Sequence, residues 1–115
     1  MTVRIYHNPR CSKSRQTLKL IRDAGVEPEI IEYLDSPPTT KELQELLRKL
    51  GIEPRDLMRK GESLYRELGL ATRDLSREEA IQILHEHPQL IERPIVVKGR
   101  RAVIGRPPEN VAELL

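Results

Sequence analysis

The sequence predicts an α/β fold: a four-stranded mixed sheet flanked by helices, with a helical insertion between a βαβ half and a ββα half. Three observations predict it. Strand-like apolar segments lie near both ends of the chain, with segments of helical periodicity between them. The first two strand-like segments are joined by one helix-length segment, the signature of a parallel, right-handed βαβ crossover. The last two are joined by the tight turn Lys98-Gly99-Arg100, which makes a hairpin. A chain of 115 residues fits one domain, residues 1–115, with the insertion at about residues 39–88.

Thr2-Val-Arg-Ile-Tyr6 alternates apolar with other residues and is stopped by His7-Asn-Pro9, so it reads as a strand. Ser12 to Ala24 is helical in period, with Leu18, Ile21 and Ala24 on one stripe and Gly25 as the stop. Glu29 to Leu34 is the second strand. Pro37-Pro38 breaks the chain, and Thr39 with Glu42 forms a capping box. Leu43, Leu46, Leu47 and Leu50 then give an amphipathic helix closed by Gly51. Pro54 opens a short helix through Leu57 and Met58, and another spans Glu62 to Leu68. Ser76 and Glu79 form a second capping box, for a helix that carries Ala80, Ile81 and Leu84 and stops before Pro88. Pro94 to Val97 and Arg101 to Ile104 are the hairpin strands. Gly105-Arg-Pro-Pro108 ends the second, and Glu109 to Leu115 is a last helix with Val111, Leu114 and Leu115 inward. A sheet of this order, with a cysteine between first strand and first helix, is the outline of a thioredoxin-like (glutaredoxin-like) core.

Composition narrows the function. Lys plus Arg is 20 and Asp plus Glu 18, a net of +2, too balanced to argue for nucleic acid. With three tyrosines, no Trp and no Phe, base-stacking platforms are not expected either. No apolar run approaches a membrane span, and the N-terminal residues lack a secretory pattern. The expected location is the cytoplasm. The one cysteine allows no intrachain disulfide, and no metal-spaced cluster accompanies it, so a structural zinc site is not expected. With no strong exposed apolar stripe, a monomer is expected.

Cys11 is the sharpest feature. It precedes the first helix within Asn8-Pro-Arg-Cys-Ser-Lys-Ser14. Free N–H groups and the dipole at a helix start favour an anion, and a thiol there loses its proton more easily. Arg10, Lys13 and Arg15 add positive charge in sequence, and His7 lies four residues before it. Cys11-x-x-Ser14 has the spacing of a redox C-x-x-C with the resolving thiol replaced, so an intermediate on Cys11 needs an external thiol. Ser14 is placed either to hydrogen-bond the thiolate or to be a surface hydroxyl of the first turn. Arg93-Pro94 precedes the third strand, where X-Pro bonds are sometimes cis. Arg93 and Arg106 sit at proline-bounded corners, and Arg59 follows the short helix opened by Pro54. If these arginines converge they make an oxyanion cradle, since guanidinium matches such oxygens bidentately. His85, His87 and the Lys98, Arg100, Arg101 cluster read as capping or surface groups.

Three segments, Ile5-Tyr-His-Asn-Pro-Arg-Cys-Ser-Lys-Ser-Arg15, Glu92-Arg-Pro-Ile-Val-Val97 and Gly105-Arg-Pro-Pro-Glu109, together resemble the ArsC/Spx family. The resemblance covers nearly the whole chain and is strongest to the short, glutaredoxin-dependent arsenate reductase-like proteins. It implies a thioredoxin-like core with a helical insertion. It also implies that Cys11 is the nucleophile, that His7 and Ser14 support its thiolate, and that Arg59, Arg93 and Arg106 bind the oxyanion. The implied reaction is reduction of arsenate to arsenite, with glutathione as co-substrate, glutaredoxin as partner, and no bound metal or cofactor. Two alternatives accompany it: a thiol-disulfide oxidoreductase of other substrate, and an Spx-type regulator that binds RNA polymerase. Ser14 in place of a second cysteine weighs against the regulator.

Overall fold

The computed structural model describes residues 2–115. The chain divides into two compact units, one made of the residues up to Ser36 together with Arg93–Leu115, the other of Pro37–Glu92.

The first unit holds the whole sheet. Its elements are β1 (Val3–His7), α1 (Ser12–Asp23), β2 (Glu29–Glu32), β3 (Ile95–Lys98), β4 (Arg101–Ile104) and a closing 3₁₀ segment, Pro108–Leu114. Strand order is β2-β1-β3-β4, with β1 and β2 parallel and the other two pairings antiparallel. This is the expected four-stranded mixed, thioredoxin-like sheet. Gly99, at φ 62°, makes the hairpin turn between the paired residues Lys98 and Arg101. Val3, Ile5 and Val96 share one face and pack with Ile21 of α1 and with Val111 and Leu114. β2 ends at Glu32, short of the expected Leu34, because Tyr33 and Leu34 enter a turn, and two burial details also differ from the sequence reading. Ala24 is exposed, because α1 ends at Asp23 and Ala24 only caps it; the buried stripe of the helix is Ser14, Thr17 and Ile21. Leu115 is 41% exposed, because the last segment winds as a 3₁₀ helix, whose three-residue turn brings Pro108, Val111 and Leu114 inward.

The second unit contains α2 (Thr40–Leu50), a 3₁₀ turn (Pro54–Leu57), α3 (Ser63–Glu67), α4 (Arg77–Glu86) and a second 3₁₀ turn (Pro88–Leu90). Both capping boxes are present, Thr39 with Glu42 and Ser76 with Glu79. Gly51 ends α2 in the left-handed conformation, φ 70°. Leu43, Leu46, Leu47, Ile81 and Leu84 are buried, whereas Leu50 at the helix end is only half-buried. Met58 does not continue the turn after Pro54. It pairs with Ile91 as an isolated bridge, and Glu92 N–H donates to Leu57 O at 2.7 Å. No helix among the described residues is long and apolar enough to cross a membrane.

Candidate active site

The site is built on the turn between β1 and α1. Cys11 is the N-cap residue of α1, extended at φ −92° and ψ 122°, and half-buried. Its N–H donates to Asn8 O at 3.0 Å. Asn8 Oδ1 accepts the Arg10 N–H at 3.0 Å, the short side-chain turn that Asn favours before a proline. Arg15 Nη1 donates to Pro9 O at 2.9 Å, clamping the turn from one helical turn on. Together these bonds present the thiol to the free N–H groups that open α1.

The environment of the thiol is electrostatically one-sided. Burial alone would raise the Cys11 pKa. The Ser14 backbone N–H, the Arg93 guanidinium and the Lys13 backbone N–H outweigh it and hold the thiol below its ordinary value. Arg106 Nη1 lies 4.0 Å from Cys11 Sγ and 3.4 Å from Arg93 O. Arg93 Nε is buried and has no hydrogen-bond acceptor. Both arginines immediately precede cis prolines, Pro94 and Pro107. Gly105 lets the Arg106 corner close on the sheet: a Cβ there would stand 2.5 Å from Thr17 Oγ1 and 2.8 Å from Pro94 Cγ.

Of the residues singled out in the sequence, Cys11, His7, Ser14, Arg93 and Arg106 fall within the first unit, and the last two reach the thiol. Arg59 lies in the second unit, where its guanidinium pairs with Glu62 at 3.2 Å and Glu92 at 3.5 Å, and its N–H donates to Leu90 O at 2.7 Å. The charge that acts on the thiol is that of Arg93, from the far end of the sequence, not of the neighbours in sequence. Lys13 contributes its backbone N–H and Arg15 is committed to Pro9 O. Arg10 is exposed.

Ser14 is no surface hydroxyl: it is completely buried. Its Oγ accepts the Asn8 N–H at 3.0 Å and lies 2.6 Å from His7 Nδ1, so it is the backbone N–H of Ser14, not the hydroxyl, that faces the thiol. His7 does not add positive charge. Burial lowers its pKa, Glu32 partly offsets that, and Arg22 and Arg15 lower it further, so the imidazole is neutral at pH 7. Sequence reasoning gave no separate role to Asn8 and none to Thr17, both buried. The Asn-Pro pair was the available signal for the first. Thr17 donates to Lys13 O at 2.8 Å within the helix and carries no signal. His85 Nδ1 lies 2.8 Å from Pro38 O, which makes it a partly buried structural contact rather than a surface group, and His87 caps α4. Among the described residues no group of three or more His, Cys, Asp or Glu side chains is arranged to hold a metal ion.

Known proteins of similar sequence and structure converge on one group. The family model described as ArsC family matches residues 6–114. A protein from Escherichia coli (strain K12) named Uncharacterized protein YfgD is 54% identical, over 98% of this chain and 96% of its own length. An arsenate reductase from Haemophilus influenzae is 50% identical over the whole of both chains. The solved structure of an arsenate reductase from Vibrio cholerae superposes with a TM-score of 0.96 at 50% identity, covering 100% of this chain and 98% of its own. With its thiol at the start of α1 and its match from residue 6 to residue 114, this chain belongs to the ArsC family.

Proposed function

We propose that this protein reduces arsenate to arsenite, with Cys11 as the nucleophile. One observation carries the reading: a thiol held below its ordinary pKa at a helix N-terminus, with the Arg93 and Arg106 guanidinium groups converging on it. An anionic nucleophile and two cations at one point suit a tetrahedral oxyanion, whose oxygens take the guanidinium N–H groups while sulfur attacks the central atom. The buried, unpaired N–H of Arg93 Nε is a donor that an oxyanion oxygen would satisfy. The names of relatives at this level of identity agree with the reading.

In the first step Cys11 thiolate bonds to arsenic and one oxygen leaves as water after protonation. Arg93 and Arg106 stabilise the charge on the oxygens that stay, and each well-placed donor is worth about 3 kcal/mol. Glutathione thiolate then displaces a second oxygen as water. Glutaredoxin thiolate attacks the glutathione sulfur, and the electron pair of the sulfur–arsenic bond passes to arsenic. Arsenic(V) becomes arsenic(III), and the two thiols leave joined as a mixed disulfide. Water releases arsenite and returns Cys11. The lack of a second cysteine supports an external thiol at this stage. Glutathione and glutaredoxin as donors agree with a cytoplasmic location, and the protein acts as a monomer without a bound cofactor.

Arsenite release from arsenate, followed through NADPH consumption with glutathione, glutaredoxin and glutathione reductase, tests this. Turnover that requires both glutaredoxin and Cys11 is expected. No turnover, with Cys11 still reactive toward glutathione disulfide, would make the protein a thiol-disulfide enzyme of another substrate.

A further inference from the structure

His7 and Glu32 are register partners on the parallel strands β1 and β2, so their side chains leave the same face of the sheet. Both line a cleft of about 320 Å³, together with Asn8, Arg10, Leu34 and Asp35. His7 is 6% exposed. Its Nδ1 is taken up by Ser14 Oγ at 2.6 Å, whereas Nε2, on the other edge of the ring, makes no hydrogen bond among the described residues.

Counting donors and acceptors fixes the proton. A serine hydroxyl offers two lone pairs and one hydrogen. One lone pair of Ser14 Oγ takes the Asn8 N–H at 3.0 Å. If Nδ1 carried the imidazole proton, it would fill the second lone pair. The Ser14 hydrogen, completely buried, would then have no acceptor, and a bare lone pair would remain on Nε2 of a ring that shares its cleft with the Glu32 carboxylate. If Nε2 carries it, the Ser14 hydroxyl donates to Nδ1, and the ring offers a donor instead of a bare lone pair in the cleft it shares with that carboxylate. Both considerations choose the second arrangement.

We propose that Glu32 is a positioning residue for His7: from the facing strand its carboxylate keeps the imidazole proton on Nε2, and so commits the Ser14 hydroxyl to Nδ1. The inference rests on Cys11 as nucleophile, because the device acts on the turn that presents it. Ser14 receives the Asn8 N–H through its hydroxyl and directs its own backbone N–H at Cys11. Once His7 is protonated, Nδ1 ceases to accept and the Ser14 hydroxyl hydrogen loses its acceptor. The neutral ring is thus the form that holds the turn. The charges around the ring are Glu32 on β2, Arg15 and Arg22 on α1, and Arg10 and Asp35 in the cleft. Arg22 is paired with Glu27 at 3.0 Å and Arg15 with Pro9 O, which leaves Glu32 as the favourable charge in register with the ring.

Long-range ¹H–¹⁵N correlation spectra of His7 across pH, in the wild type and in Glu32→Gln, Glu32→Asp and Asp35→Asn, test the proposal whether or not arsenate is the substrate. The wild type is expected to show the Nε2–H tautomer. Glu32→Gln is expected to gain the Nδ1–H tautomer and to titrate at lower pH, since the carboxylate that favours the charged ring is gone. Glu32→Asp should restore the wild-type signature and Asp35→Asn should keep it. A wild-type Nδ1–H tautomer would overturn the proposal without any variant. So would a Glu32→Gln ring unchanged in tautomer and titration, or an Asp35→Asn effect as large as that of Glu32→Gln.

Discussion

The two units spend their polar groups differently. Among the described residues the buried polar side chains, His7, Asn8, Ser14 and Thr17, all belong to the sheet-bearing unit, with His7 at the end of β1, Asn8 in the turn before Cys11 and Ser14 in the first turn of α1. In the helical unit the fully buried side chains among the described residues are apolar, and two hydrogen-bonded caps, Thr39 with Glu42 and Ser76 with Glu79, close helix ends at the surface. A buried hydroxyl or imidazole has to be fully hydrogen-bonded to be tolerated, and a network of them fixes geometry in a way that apolar contacts do not. The polar interior therefore marks where position matters for chemistry. The apolar interior marks where it matters for folding.

That contrast is open to attack, beginning with the largest expected effect. Cys11→Ser should abolish arsenite release while leaving the melting temperature near that of the wild type, because the thiol is half-buried and no core contact is lost. Loss of fold in that variant, seen by circular dichroism, would erase the distinction. Leu84→Ala in α4 should do the reverse. Its side chain is completely buried, and truncation at such a site costs about 2–5 kcal/mol, so a large fall in urea midpoint is expected with normal specific activity in the protein that remains folded.

Arg59 sharpens the comparison, because the resemblance implies it as an oxyanion ligand although it belongs to the helical unit. Its ion pairs with Glu62 and Glu92 involve side chains about a quarter exposed, and pairs that reach solvent are worth roughly 0–1 kcal/mol. If it binds the oxyanion, Arg59→Ala should lower kcat/KM for arsenate by roughly 100-fold with little change in stability. A stability loss without a kinetic one would return Arg59 to the scaffold. The smallest effect belongs to Thr39→Ala, which removes a solvent-exposed cap and should cost about 1 kcal/mol of unfolding free energy and no activity.

The sequence made the scaffold legible to different depths. Both capping boxes, the Leu43-Leu46-Leu47 stripe and the hairpin were readable because they are local: three or four residues determine them. The α1 stripe was legible at Leu18 and Ile21 but not at Ser14 and Thr17, which are polar residues facing inward, and an apolar pattern cannot register a hydrogen-bonded interior. The site divides the same way. Cys11 at a helix start is a local fact, and so is the turn made by Asn8. The pairing of His7 with Glu32 depends on strand register, and the approach of Arg93 and Arg106 to Cys11 depends on closing a sheet across most of the chain. Neither has a trace in local sequence. Charge counting near Cys11 therefore pointed to Arg10, Lys13 and Arg15, while the guanidinium that acts on the thiol comes from residue 93.

The thiolate absorbance of Cys11, titrated across pH in the wild type and in Arg93→Ala, tests the central claim most directly. A depressed thiol pKa means that thiolate, and with it the rate of attack, is already present at lower pH than for an ordinary cysteine, and is lost as pH falls through that value. Removing Arg93 takes away a hydrogen bond and a positive charge that favour the anion, so the titration and the acid limb of arsenate turnover should both move to higher pH. An unchanged titration in Arg93→Ala would contradict the account, and would leave Cys11 as a thiol tuned by its helix alone.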